Sequence, residues 1–137
     1  MRATGTFRTK DFAPASVFQE PPIRAALDMS VATMEKEYDG AVKGRSATIF
    51  TSAFDTERGV GTYVAMEAFE GSLDGREGTF AFVHSASTRG GSERADEFFL
   101  IVPQSGTGAL EGITGTGALE VDADGTHRMC FEYTLTE

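Results

Sequence analysis

Glu67 and His84 are the two residues whose types and spacing could do acid–base chemistry, and both lie in Tyr63–Ala86, YVAMEAFEGSLDGREGTFAFVHSA. A carboxyl set between Ala65 and Phe69 is unusual, because charged side chains are rarely buried without a partner. An apolar setting raises a carboxyl's pKa toward the range that a general acid or base requires. An imidazole beside it could pass the proton on, or be held in one tautomer by the carboxylate. Tyr63 adds a phenol. The pattern predicts proton transfer, with Glu67 and His84 in the catalytic roles. Its plainer rival is a buried Glu–His pair that only fixes strand register. A metal centre is not expected: Glu67 and His84 supply two ligands where three or four are usual, and the second histidine, His127, lies far along the chain beside a turn.

What must position these residues is a β-hairpin folded about Asp74-Gly75. Asp-Gly between two alternating apolar runs signals a type I′ turn, which needs φ > 0 at both central residues. With Leu73 opposite Arg76, Phe69 falls opposite Phe80, Glu67 opposite Phe82, Ala65 opposite His84 and Tyr63 opposite Ala86. Paired residues share a face, so Tyr63, Glu67, Phe69, Phe80, Phe82 and His84 form one wall. Glu67 and His84 become diagonal neighbours, roughly 7–8 Å apart at the backbone and within reach of long side chains. Tyr63, Phe69, Phe80 and Phe82 are candidate binding residues, joined by Lys36 and Tyr38 from the second strand. The facing of those last two depends on a bulge expected there.

The chain has 137 residues, the size of a single domain spanning 1–137 with a core of its own. Its net charge of −9 argues against a nucleic-acid partner, which needs clustered Lys and Arg to displace counterions. No run approaches the ~18–20 apolar residues of a membrane span, and the N-terminus lacks a signal-peptide core. One cysteine, Cys130, excludes a disulfide framework and reads as a filler thiol. A cytoplasmic location is expected.

In chain order, residues 2–12 alternate as a first strand. Residues 13–22 hold Pro14, Pro21 and Pro22 and must be irregular. Residues 23–39 read as a second strand whose inward parity changes between Val31 and Met34, the mark of a β-bulge; a helix over 24–38 is the rival. Residues 41–54 form a third strand, and turns are expected at Asp39-Gly40 and Gly90-Gly91. Arg89, Glu93 and Arg94 read as solvated turn residues. Residues 93–103, ERADEFFLIVP, make a strand apolar on both faces, which calls for cover by a terminal segment or another subunit. The glycine-rich SGTGALEGITGTGALE at 105–120 is hostile to helix, and no P-loop Gly-Lys-Ser/Thr follows it. For the last hairpin, a three-residue loop Asp124-Gly125-Thr126 would set Val121 opposite Met129 and Leu119 opposite Phe131. About eight antiparallel strands in so small a domain predict a closed eight-stranded β-barrel, which has no exposed edge. An open sandwich is the second choice.

GTGALEGITG (Gly106–Gly115) is similar to the glycine-rich signature of allene oxide cyclase and dirigent proteins, with Leu110 where those families carry Phe. More of the chain resembles a bacterial family of unknown function assigned to the same eight-stranded barrel superfamily. The matching pieces are Ala3–Phe7 (ATGTF), Lys36-x-Tyr38-x-Gly40, Glu67-x-Phe69-x-Gly71, Gly75-Arg76-x-Gly78-Thr79-Phe80, His84 and Ser105–Gly112. The resemblance implies an allene oxide cyclase-like barrel working without a cofactor, and carries no catalytic residue over.

The expectation is a small hydrophobic-ligand-binding barrel, with a cofactor-free isomerase, cyclase or lyase using the Glu67–His84 pair as one form of it. The alternative is a structural or protein-interaction module whose barrel is filled by side chains, since small barrels are often packed solid. A homodimer or other homo-oligomer is expected in either case, with an apolar small molecule as the ligand.

Overall fold

The computed structural model describes residues 1–90 and 93–136. Its strands are β1 (Arg2–Ala15), β2 (Met29–Gly40), β3 (Val42–Asp55), β4 (Val60–Leu73), β5 (Arg76–Arg89), β6 (Arg94–Ile101), β7 (Ile113–Val121) and β8 (His127–Leu135). They form one antiparallel sheet in the order β6-β5-β4-β3-β2-β1-β8-β7. The sheet curls until β6 and β7 meet, but among the described residues no backbone ladder joins these two edges. One side-chain bond crosses there, from Thr116 Oγ1 to the Phe99 carbonyl at 2.8 Å. The fold is therefore all-β, an eight-stranded barrel closed except for one seam. No helix among the described residues is long and apolar enough to cross a membrane.

The central hairpin has the register its sequence predicts, Leu73↔Arg76 through Tyr63↔Ala86. Asp74 (φ 52°) and Gly75 (φ 82°) occupy the two positive-φ positions of the turn. The expected inward face is inward: Ala65, Glu67, Phe69, Phe80, Phe82, His84 and Ala86 are buried.

Three expectations need correction. The second strand starts at Met29 and pairs with β3 without interruption, so Met34, Lys36 and Tyr38 share the inner face with Ala32. The bulge lies instead in β1, between Lys10 and Ala13, where Asp11 has φ 55°. The last hairpin does have a three-residue loop, but it is Ala123-Asp124-Gly125, with Asp122 N bonded to Thr126 O and Gly125 at φ 90°. A type I turn followed by a left-handed glycine fits the twist of the strands. Val121 therefore faces His127 and Leu119 faces Met129. The slip is two residues, so every side chain keeps its expected face. Of the Gly90-Gly91 turn, Gly91 lies outside the described residues.

The doubly apolar strand turns Phe99 and Ile101 inward and leaves Phe98 and Leu100 on the outside, 54% and 38% exposed. Among the described residues no terminal segment covers them. A second bulge lies in β6, where Asp96 and Glu97 face the single residue between Ser85 and Ser87 of β5; Asp96 has φ 54° there, and the facing of β6 reverses beyond it. Arg94 thereby points into the barrel rather than out of it.

The interior has two halves. The end bearing the Asp74-Gly75 turn is packed solid with Phe69, Phe80, Phe82, Phe131, Tyr133 and Met129. The glycine-rich segment folds across this end and buries Leu110 in it completely. Thr107 N donates to Thr79 O at 2.8 Å and Ser105 Oγ accepts from Ala81 N at 2.9 Å, pinning the segment to β5. The opposite half is open.

Candidate functional site

The centre of the site is the Glu67 carboxylate, fully buried at mid-height of the barrel. Four donors from three other strands converge on it. Oε2 accepts from Lys36 Nζ at 2.6 Å and His84 Nε2 at 2.5 Å; Oε1 accepts from Tyr38 Oη at 2.9 Å and Ser46 Oγ at 2.7 Å. Each donor arrives because strand alternation turns it inward: Lys36 and Tyr38 from β2, Ser46 from β3, His84 from β5.

Burial by itself would raise the carboxyl's pKa. The hydrogen bond from His84 and the charge of Lys36 outweigh it and bring the value down to about 2. This reverses the direction expected from an aromatic pocket, because the residues around Glu67 are donors. Glu67 is a fixed anion. His84 moves below its usual range, chiefly through burial, with the Glu67 bond opposing and Lys36 and Arg94 adding to the fall. The imidazole is thus neutral at pH 7. Since the Glu67 carboxylate can only accept, Nε2 carries the proton and Nδ1 is left with a lone pair.

Nδ1 receives Tyr63 Oη at 2.8 Å, and the Tyr63 oxygen accepts from Arg94 Nη2 at 3.0 Å. Burial raises the Tyr63 pKa, with Arg94 opposing, so the group is a phenol at neutral pH. A continuous chain runs Arg94–Tyr63–His84–Glu67–Lys36. His84 is also held by ring contacts: it stacks on Phe82 and Phe99 at 5.9 and 5.6 Å between centroids, with Tyr63 edge-on at 5.4 Å.

Above this chain the open half holds a cavity of about 400 Å³. Phe7, Met34, Phe50, Phe54, Leu119 and Val121 give it apolar walls, and Lys36, Tyr63, His84, Arg94 and His127 give it polar points. Among the described residues no carboxylate lines it, in a chain with 21 Asp and Glu. Lys36 has one hydrogen-bonded partner for its three N–H groups and lies 5.0 Å over the Phe7 ring. The charged groups at the cavity, Lys36 and Arg94, are therefore both donors, with the hydroxyls of Thr9, Ser52, Thr62 and Thr88 as the side-chain oxygens beside Tyr63.

The structure brings together Glu67, His84, Tyr63, Lys36 and Tyr38 as one hydrogen-bonded group. Tyr63, His84 and Lys36 reach the cavity. Glu67 and Tyr38 lie behind its wall, and Phe69 and Phe80 belong to the solid half. Arg94, His127, Phe50 and Ser46 were not singled out by the sequence. For Phe50 and Ser46 the inward parity of β3 was a usable signal; for Arg94 it depended on the β6 bulge, which nothing in ERADEFFLIVP marks. Among the described residues no cluster of three or more His, Cys, Asp or Glu could hold a metal.

Comparison with known proteins gives a consistent picture. No curated protein matches the chain. The structure is similar to the crystal structure of a protein of unknown function, from the DUF3224 family, of Shewanella oneidensis MR-1. The two are 26% identical, with a TM-score of 0.84, and the match covers 100% of this chain and 98% of that one. The model of the family described as "Protein of unknown function (DUF3224)" matches residues 3–133. Nearly the whole barrel, including every residue of the buried chain, lies in that match, and the protein belongs to the DUF3224 family.

Proposed function

We propose that the open half of the barrel binds a small, mostly apolar molecule whose polar end accepts hydrogen bonds from Lys36 and Arg94. The observation that carries this reading is the lining: apolar walls above a donor-rich floor with no carboxylate among the described residues. Ligand pockets commonly measure about 300–1,000 Å³ and pair apolar walls with a few polar groups that set orientation. A carboxylate, enolate or carbonyl oxygen fits such a floor, and an ammonium does not.

Catalysis in this reading is cofactor-free proton transfer, as in an isomerase or lyase. His84 and Tyr63 are the groups at the cavity that exchange protons, and Glu67 acts by holding the imidazole in its Nε2–H tautomer. A cytoplasmic setting and an allene oxide cyclase-like placement belong to the same proposal; the latter draws on the eight-stranded barrel and the Gly106–Gly115 segment.

A second reading, a structural module, is favoured by the solid half and by the fully partnered Glu67. Native mass spectrometry of the protein from its own source separates the two. A non-covalent adduct in the wild type, lost when Leu119→Trp fills the cavity, supports ligand binding. Bare protein in both samples, together with no binding of apolar carboxylates such as 4-phenylbutyrate by calorimetry, leaves the structural module standing.

A further inference from the structure

The outer face of β3–β6 is a second surface that the cavity does not explain. Strand pairing sets its side chains in rows. One row runs Ile49–Met66–Val83–Leu100, a second Thr51–Val64–Ser85–Phe98, and a third Ala47–Ala68–Ala81–Val102. These twelve positions carry no charge, although the chain has 33 charged residues by its 12 basic and 21 acidic side chains. Ile49, Val64, Met66 and Phe98 are each about half exposed, at 58, 49, 48 and 54%. The charges resume at both ends of the strands. Arg45 pairs with Glu70 at one end; Arg89 pairs with Asp96 at 2.8 Å, and Arg58 with Asp55 at 2.9 Å, at the other.

We propose that this face is the interface of a homodimer, with a second copy of the chain packed on it about a two-fold axis near Met66 and Val83. Two features select a second copy. First, a molecule of net charge −9 repels its own copies over most of its surface, and the uncharged face is where two can approach. Second, a two-fold axis that runs across the strands along the central row lays the Arg45–Glu70 end of one copy over the Arg89–Asp96 end of the other, so that each rim meets charges of both signs. The central row then lies against itself, as an isologous contact requires.

The size agrees. With strands about 4.8 Å apart and same-face residues about 6.8 Å apart, three rows and their flanks on four strands span roughly 500 Å² of flat sheet. The relief of Phe98, Ile49 and Met66 adds to that area, toward the ~800 Å² per partner of a specific interface. An apolar patch of this extent is at the upper end of what a monomer exposes.

Sedimentation equilibrium tests the proposal. The wild type at about 100 μM, above the micromolar Kd of even a weak interface of this class, is expected at twice the 14.6 kDa of one chain. Met66→Glu and Met66→Lys should each be monomeric, with unchanged far-ultraviolet circular dichroism. Mixed in equal amounts, they should recover dimer, because position 66 of each copy lies close to the axis; a folding defect would not be rescued by mixing. A monomeric wild type, or a dimer that both substitutions leave intact, overturns the proposal.

Discussion

The Lys36 ammonium and the Glu67 carboxylate meet at 2.6 Å with 6% and 0% of their side chains exposed, so the carboxylate has no water to fall back on. Taking one partner away leaves the other buried and uncompensated. Glu67→Gln is expected to cost about 3–5 kcal/mol, whereas the double variant Lys36→Met/Glu67→Gln should recover much of the loss. Urea denaturation of the three variants measures both, and a Glu67→Gln loss under about 1 kcal/mol would contradict the buried pair.

Acid should unfold the protein in two stages of the same sign. Glu67 has its folded pKa depressed from 4.5 to about 2, so its contribution is full above the unfolded value and disappears as pH falls from about 4.5 through 2. At about 1.4 kcal/mol for each pH unit, that amounts to roughly 3 kcal/mol. The folded pKa of His84 is also depressed, so the unfolded chain takes up a proton first and stability starts to fall as pH drops below about 6.5. Stability therefore rises from pH 2 to pH 7. Denaturation curves at stepped pH should show the slope above pH 4.5 reduced in His84→Gln and the slope below it reduced in Glu67→Gln, the surface carboxylates Glu37, Asp55 and Asp124 keeping the remainder.

The Glu67 carboxylate fixes which ring nitrogen of His84 bears the proton, and Tyr63 donates to the other. Long-range proton–nitrogen NMR at pH 7 should find His84 protonated at Nε2, with Nδ1 showing the shift of an acceptor. Tyr63→Phe keeps that tautomer, because Glu67 still demands it, but strands Nδ1 without a donor and costs about 1–2 kcal/mol. A proton on Nδ1 in the wild type would turn the Tyr63–His84 bond around, with Arg94 still donating to Tyr63, and would require Glu67 to be the protonated partner of Nε2.

The β6–β7 seam should be the first part of the barrel to open. Ladder bonds protect the other strand pairs, while Thr116 Oγ1 to Phe99 O is the hydrogen bond across this one. Amides on the seam edges of β6 and β7 are expected to exchange faster than those of β3 and β4, and Thr116→Val should widen the gap. Gly117 lets the Phe99 ring close over the seam, since a Cβ there would lie 2.7 Å from it; Gly117→Val should speed the same amides further. Uniform exchange around the barrel would mean that the seam is sealed.

Most of the barrel was legible because alternation is a strong signal and Asp-Gly turns set register. The face from Tyr63 to His84 was readable to the residue, since one two-residue turn determines every pairing above it. What escaped depended on bulges. Asp11 and Asp96 adopt positive φ inside strands, where neither is marked by glycine, and the second of these decides that Arg94 faces the cavity. The protonation of Glu67 escaped for a different reason. The sequence showed its aromatic neighbours along one hairpin, but its ionic partner comes from β2, two strands away in the sheet. A pKa is set by what packs across the barrel.

The plug formed by the glycine-rich segment makes the barrel a blind alley. Leu110 stops one end, Phe69, Phe80 and Phe131 fill the space beneath the buried carboxylate, and the remaining opening lies beyond Phe54 and Thr88. In the proposed ligand-binding reading, a molecule that enters the open half leaves through the same end, because among the described residues the other end is filled. In that reading, exchange of one bound molecule for the next is paced by how readily that end of the barrel clears.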